Sequence, residues 1–181
     1  IMFGLNMVVH KGKTIFVGDT SVHEYPTSEQ MAEIAISTAR VVRLFGFEPK
    51  VAFVSHSTFG QPLTSRTKHI RKAVDILKEK KVDFEFDGDM QPDVALNSNY
   101  EELYPFSKIV GKANILIMPG QHSAAISYKM MKTLGDTKVI GPLLIGLGLP
   151  VEIAPLRSST SEIINLASIA AYSADVIDYK K

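Results

Sequence analysis

The stretch Val139-Ile-Gly-Pro-Leu-Leu-Ile-Gly-Leu-Gly-Leu-Pro-Val151 carries no charge and runs into Glu152-Ile-Ala-Pro-Leu-Arg157-Ser-Ser-Thr-Ser161. An aliphatic run of this kind, closed by Gly and Pro, reads as a buried strand feeding a turn. Behind it, Ile163, Ala167, Ala170 and Ala174 fall on one stripe, which predicts a helix beginning near Ser159 with those four residues buried. Strand, turn and helix in this order are the unit of an α/β sheet. The predicted helix start is crowded by Arg157 and the hydroxyls of Ser158, Ser159, Thr160 and Ser161. Unpaired N–H groups and the helix dipole make such a start attractive to anions. Glu162 stands three residues after Ser159, where a capping glutamate belongs.

The same unit recurs upstream. Leu5–Val9 and Thr14–Asp19 flank a turn at Gly12 and predict a hairpin. Pro26-Thr27-Ser28-Glu29-Gln30 is a capping box. Met31, Ile34, Ala35, Thr38, Val41, Val42 and Phe45 follow at helical spacing, and Gly46 supplies a stop. Val51–Ser55 and Phe84–Asp87 read as short strands, with a basic amphipathic helix over Ser65–Lys80 between them that buries Ile70, Ala73, Val74 and Leu77. Asp93 caps a short helix, Asn114–Met118 is a further buried strand, and Ile126, Met130 and Leu134 mark the next helix. Alternation of strands and helices predicts a largely parallel sheet covered on both faces.

Composition bounds the function. At 181 residues the chain holds one well-buried domain and not two large ones. A net charge of +1 argues against nucleic acid or an anionic membrane as partner. With no cysteine, disulfides, thiol nucleophiles and thiolate metal sites are excluded, and a cytoplasmic address is expected. The uncharged run falls short of the roughly 18 residues of a membrane span. The five histidines never take the spacing of a helical metal pair, and Asp87–Asp93 lacks the closing glutamate of a calcium loop, so no metal site is expected. Ser55-His56 is not read as a nucleophile and its base, because neighbours on a strand end point apart.

In α/β sheets ligands sit beyond the carboxyl ends of the strands. Three loops there are rich in hydroxyls: Ser55–Gln61, Pro119–Ala125 and the Arg157–Ser161 cluster. Their convergence on one pocket for an anionic ligand is expected, against the plain alternative that Ser, Gly and Gln are ordinary turn and cap residues.

The wording of these segments resembles the phosphate acetyl/butyryl-transferase family. The resemblance is carried by Asp19 with Pro26-Thr-Ser-Glu-Gln-Met-Ala-Glu-Ile-Ala35, Gly46-Phe-Glu-Pro-Lys-Val-Ala52, Ser55-His-Ser-Thr-Phe59, Asp87-Gly-Asp-Met-Gln-Pro-Asp-Val-Ala95, Tyr128-Lys129, Ile140-Gly-Pro-Leu-Leu-Ile-Gly-Leu147 and Asn165. It implies an isocitrate/isopropylmalate dehydrogenase-like α/β fold: a mostly parallel or mixed sheet with helices on both faces. Residues 1–181 would form a single transferase-like domain, truncated on its N-terminal side, since the chain opens on an apolar run without an initiator methionine. In active members a Ser-Arg pair follows the Val139-type strand and an acid lies a few residues on. Aligning Asn165 with that pattern puts Pro155 and Leu156 on the pair and Glu162 on the acid. Ser123-Ala124-Ala125 stands where the family usually has Thr-Gly-Asn. Both departures imply a site without catalytic residues.

Ser55-His-Ser-Thr-Phe-Gly60 and Met118-Pro-Gly-Gln-His-Ser-Ala-Ala-Ile126 are most similar to the C-terminal phosphotransacetylase-like domains of bacterial NADP-dependent malic enzymes. The resemblance implies a domain that binds acetyl-CoA or a related effector and forms a homodimer or larger oligomer. Ser55, Ser57, Ser123, Arg157, Ser158 and Glu162 are the expected lining of its acyl-CoA/phosphate cleft. No cofactor is expected on these residues; the parent's NADP and Mg or Mn would lie elsewhere. The alternative is an active phosphate acetyltransferase that converts acetyl-CoA and phosphate to acetyl phosphate and CoA.

Overall fold

Lys11 and Gly12, with φ of 48° and 74°, turn the chain between β1 (Phe3–His10) and β2 (Lys13–Gly18). Two successive positive φ values match the twist of the flanking strands, and the pair runs antiparallel from Leu5 against Gly18 to His10 against Lys13. The computed structural model describes residues 1–100 and 102–176. The hairpin is followed by α1 (Ser28–Leu44), β3 (Lys50–Val54), α2 (Ser65–Lys80), β4 (Glu85–Met90), α3 (Pro92–Leu96) and a 3-10 turn at Ser98–Tyr100. Then come β5 (Ile115–Ile117), α4 (Gln121–Leu134), β6 (Thr137–Ile145), β7 (Val151–Glu152) and α5 (Thr160–Val176).

The helix starts are chemically specified. Thr27 accepts the Gln30 N–H and the Gln30 side chain accepts the Thr27 N–H, so both halves of the capping box of α1 are present. Thr64 and Thr67 do the same for α2. The seven strands lie in the order β4-β3-β5-β2-β1-β6-β7. β4, β3, β5 and β2 pair in parallel, whereas β1 pairs antiparallel with β2 and β6, and β7 antiparallel with β6. The sheet is therefore mixed, because a hairpin enters it before the first crossover helix.

Two cores separate along the alternation of the strands. Val51 and Phe53 face Met31, Ile34, Ile70 and Leu77 of α1 and α2, with Leu166 of α5 on the same side. Ala52 and Val54 face the other way, towards Ala95 of α3 and Ala124 of α4. Helices thus cover both faces.

Four local expectations are corrected. β6 is not buried: of its residues only Leu143 is fully shielded. It lies next to the margin, and β7 pairs only with Leu143 and Leu144, leaving its first half without an outer strand. α5 does not bury Ile163, Ala167, Ala170 and Ala174 as a stripe; Leu166 is its buried residue, with Ile169 packed beside it. A helix over the sheet margin contacts it along one narrow line, and that line is phased on Leu166. Ile126, Met130 and Leu134 of α4 are exposed, and Ala124 and Tyr128 make its core contact. Finally, β4 continues through Asp87-Gly-Asp89, and α3 has Gln91 at its N-cap with no side-chain cap, Asp93 sitting inside the first turn. Among the described residues no helix is long and apolar enough to cross a membrane.

Candidate ligand cleft

The carboxyl ends of the parallel strands are organised by buried carboxylates. Asp19, directly after β2, accepts the N–H groups of Gly4, Ser21, Val22 and His23, and His23 Nδ1 approaches its Oδ2 at 2.7 Å. This acid ties the start of β1 to the loop that follows β2. Asp89, at the end of β4, accepts the Ser57 hydroxyl at 2.5 Å and the Gly60 N–H at 3.1 Å. The Ser57 N–H in turn reaches Ser55 Oγ at 3.3 Å. Ser55 and Ser57 are thus brought together, both buried, inside the hydrogen-bonding of their own loop. Ser123, in the first turn of α4, donates to the Gly120 carbonyl at 2.7 Å. Ser57 and Ser123 thus donate their hydroxyls to the protein, and Ser55 Oγ accepts a backbone N–H.

A different place is hollow. Between α4 and α5, over the part of β6 that has no outer strand, lies a small cleft. Tyr128 and Lys132 of α4 form one wall, Gly141 and Pro142 of β6 the floor, and Pro155, Ser158, Glu162 and Asn165 the other wall. Gly141, with φ of 129°, lies against Asn6 of β1: a Cβ there would fall 2.5 Å from Asn6 Oδ1. Only glycine permits so close an approach in that conformation. Of the expected lining residues, Ser158 and Glu162 are brought together here; Ser55, Ser57, Ser123 and Arg157 lie outside this lining. Arg157 is exposed, and no ion pair holds it among the described residues.

The cleft's polar groups are unevenly satisfied. Glu162 Oε2 accepts the N–H and the hydroxyl of Ser159, at 2.8 and 3.0 Å, capping α5 as its position predicts. Its Oε1 meets Lys132 Nζ at 2.7 Å. The ammonium first, and then the Ser159 donors, hold the Glu162 carboxyl down at about 2. Ser158 Oγ, by contrast, is shielded from solvent and has no hydrogen-bond partner. A buried hydroxyl without a partner is costly and marks a spot where a polar ligand atom gains a hydrogen bond. The hollow is thus lined by the Lys132–Glu162 ion pair, a phenol and an amide, with the unpartnered Ser158 hydroxyl just beneath its wall. Among the described residues no group of three His, Asp or Glu side chains is placed to hold a metal.

A profile of the family described as phosphate acetyl/butaryl transferase matches residues 1–171. The chain belongs to that family. Its relatives divide into long and short proteins. The NADP-dependent malic enzyme of Rhizobium meliloti (strain 1021) is 47% identical over 96% of this chain, which corresponds to 23% of that protein. The phosphate acetyltransferase of Bacillus subtilis (strain 168) is 35% identical over 92% of this chain and 52% of its own length. A phosphotransacetylase crystal structure from Streptococcus pyogenes superposes with a TM-score of 0.90 at 31% identity, covering 97% of this chain and 54% of that one. The chain therefore spans about half of the Bacillus subtilis transferase and under a quarter of the Rhizobium malic enzyme. Its phosphotransacetylase-like fold is shared by both groups.

Several site residues escaped the sequence reading. Asp19 and Asp89 each follow a glycine near the end of a strand, a Gly-Asp signal that could have marked both as loop-organising acids. Lys132 gave no signal, because its partner Glu162 lies thirty positions away and meets it only when α4 and α5 converge on β6.

Proposed function

We propose that this phosphotransacetylase-like chain is the C-terminal effector-binding domain of an NADP-dependent malic enzyme, cytoplasmic, and that it binds acetyl-CoA or a related acyl-CoA in the α4–α5 cleft without catalysing acyl transfer. The observation that carries the reading is the state of the cleft's second wall. Pro155 and Leu156 stand where the family resemblance expects the serine and arginine of an active transferase; Pro155 has no hydroxyl and Leu156 is fully exposed. The acid that would assist the thiol, Glu162, is already bound to Lys132 and to the start of α5. Loss of preorganised donors and charges of this kind typically removes several kcal/mol of transition-state stabilisation per group. What remains is recognition: Lys132, Tyr128, Asn165 and the free Ser158 hydroxyl around the hollow.

In this reading the oxidative decarboxylation of malate, with its NADP and Mg or Mn, belongs to sequence outside residues 1–181. The strong match to proteins about four times as long supports a domain role. Exposed apolar side chains along α4 and α5, Leu134 and Ile164 among them, support a contribution to subunit contacts. Two measurements on the full-length protein test the reading. Calorimetric titration with acetyl-CoA is expected to give saturable heat that Ser158→Ala weakens. Conversion of acetyl phosphate and CoA to acetyl-CoA is expected to stay at background; robust turnover abolished by Arg157→Ala would establish the transferase reading instead.

A further inference from the structure

Lys132 and Glu162 are the charged members of the cleft lining, and they are bound to each other. The pair bridges α4 and α5, so among the described residues the cleft's one cation is neutralised by its one anion. Beside it, Ser158 Oγ is buried and unpartnered, and Tyr128 and Asn165 add further polar groups. An anion entering this hollow finds a cation in place, but it must first take Lys132 from Glu162, and it reaches the Ser158 hydroxyl only by uncovering it. Glu162 has a second anchor to fall back on: its Oε2 already holds the Ser159 N–H and hydroxyl, so releasing Lys132 does not uncap α5.

We infer that Glu162 is an internal competitor for the ligand's anionic group: its carboxylate occupies Lys132 in the empty cleft, and a phosphate displaces it to bind Lys132 and Ser158 Oγ. This rests on the reading of the cleft as a ligand site. It reverses the part expected of Glu162, which here opposes binding. The pair lies at the surface, with side chains 46% and 34% exposed, so its strength falls with salt and is of the modest order of exposed ion pairs. That makes it exchangeable by a ligand and not a permanent lock.

The contrast between two substitutions tests it. Glutamine serves at the third position of a capping box as glutamate does, so Glu162→Gln keeps the cap of α5 and removes only the charge. Inorganic phosphate, followed by phosphorus NMR titration of the full chain at low salt, is expected to bind Glu162→Gln about two- to fivefold tighter than the parent, the range an exposed ion pair supplies. Lys132→Met is expected to weaken it roughly tenfold, since a charge-assisted contact is lost, and the double variant should show no gain over Lys132→Met. The advantage of Glu162→Gln should shrink as salt is raised. Unchanged or weaker phosphate binding by Glu162→Gln overturns the inference, as does Lys132→Met binding phosphate like the parent. Acetyl-CoA supplies a separate arm. If it gives no heat with any variant while phosphate follows the predicted order, the acyl-CoA reading fails and the competition stands; if it binds all variants alike, the effector reading stands and the competition falls.

Discussion

Ser57 donates its hydroxyl to Asp89 across 2.5 Å, and both side chains are fully buried between the ends of β3 and β4. The carboxylate also accepts the Gly60 N–H, so one acid closes the whole loop that follows β3. Truncating the acid strands two buried donors, whereas truncating the serine deprives the acid of one. Asp89→Ala is therefore expected to cost about 3–4 kcal/mol and Ser57→Ala about 1–3 kcal/mol in urea denaturation. Equal small losses would show that the loop is held by other contacts.

Glu152 behaves in the opposite sense to Glu162. Burial under α5 pushes its carboxyl up to about 7, and its Oε2 has no hydrogen-bond partner. A folded-state value above the unfolded one means that the folded chain holds the proton more tightly. The contribution is full below about pH 4.5 and is lost as pH rises towards 7. Stability should fall by about 1–2 kcal/mol between pH 5 and pH 8, discounted for partial exposure, and Glu152→Gln should abolish that slope. Glu162, held at about 2, contributes stability above its unfolded value and loses it only as pH falls towards 2, outside this window.

Gly88 sits between two buried acids with φ of 150°, and a Cβ there would fall 2.7 Å from the Phe53 carbonyl oxygen. Both the conformation and the neighbouring strand exclude a side chain. Gly88→Ala should cost about 2–4 kcal/mol from strain and overpacking together. A thermal midpoint unchanged within a degree would contradict this close approach.

The exposed apolar residues of α4 and α5 lie on separate helices that meet at the cleft. If they contribute to subunit contacts, Leu134→Glu combined with Ile164→Glu should lower the mass seen by light scattering on a sizing column, with far-ultraviolet circular dichroism unchanged. Both residues are more than half exposed, so neither change disturbs the core. A mass indifferent to the double change would leave these residues without a part in assembly.

Much of the fold was legible because local signals and the final structure agree. Thr27 and Gln30 announced α1 and indeed close its first turn; Gly12 announced the hairpin; Ser65–Lys80 matched α2 to the residue. The reading erred where burial depends on position in the sheet. The aliphatic Val139–Val151 stretch looks like a central strand, yet β6 lies next to the margin and most of it is only half shielded. Periodicity reports that a residue is apolar, and says nothing of whether another element arrives to cover it. Ile163 and Leu134 are apolar and uncovered for that reason.

By itself the sequence determined the α/β class, the caps of α1 and α5 and the family, since all of these are written in neighbouring residues. Tertiary structure alone decided which of the candidate serines keeps a free hydroxyl, and that Lys132 faces Glu162. Those facts arise from the convergence of α4 and α5 on one unpaired edge of β6, an encounter between segments thirty residues apart that no local pattern encodes.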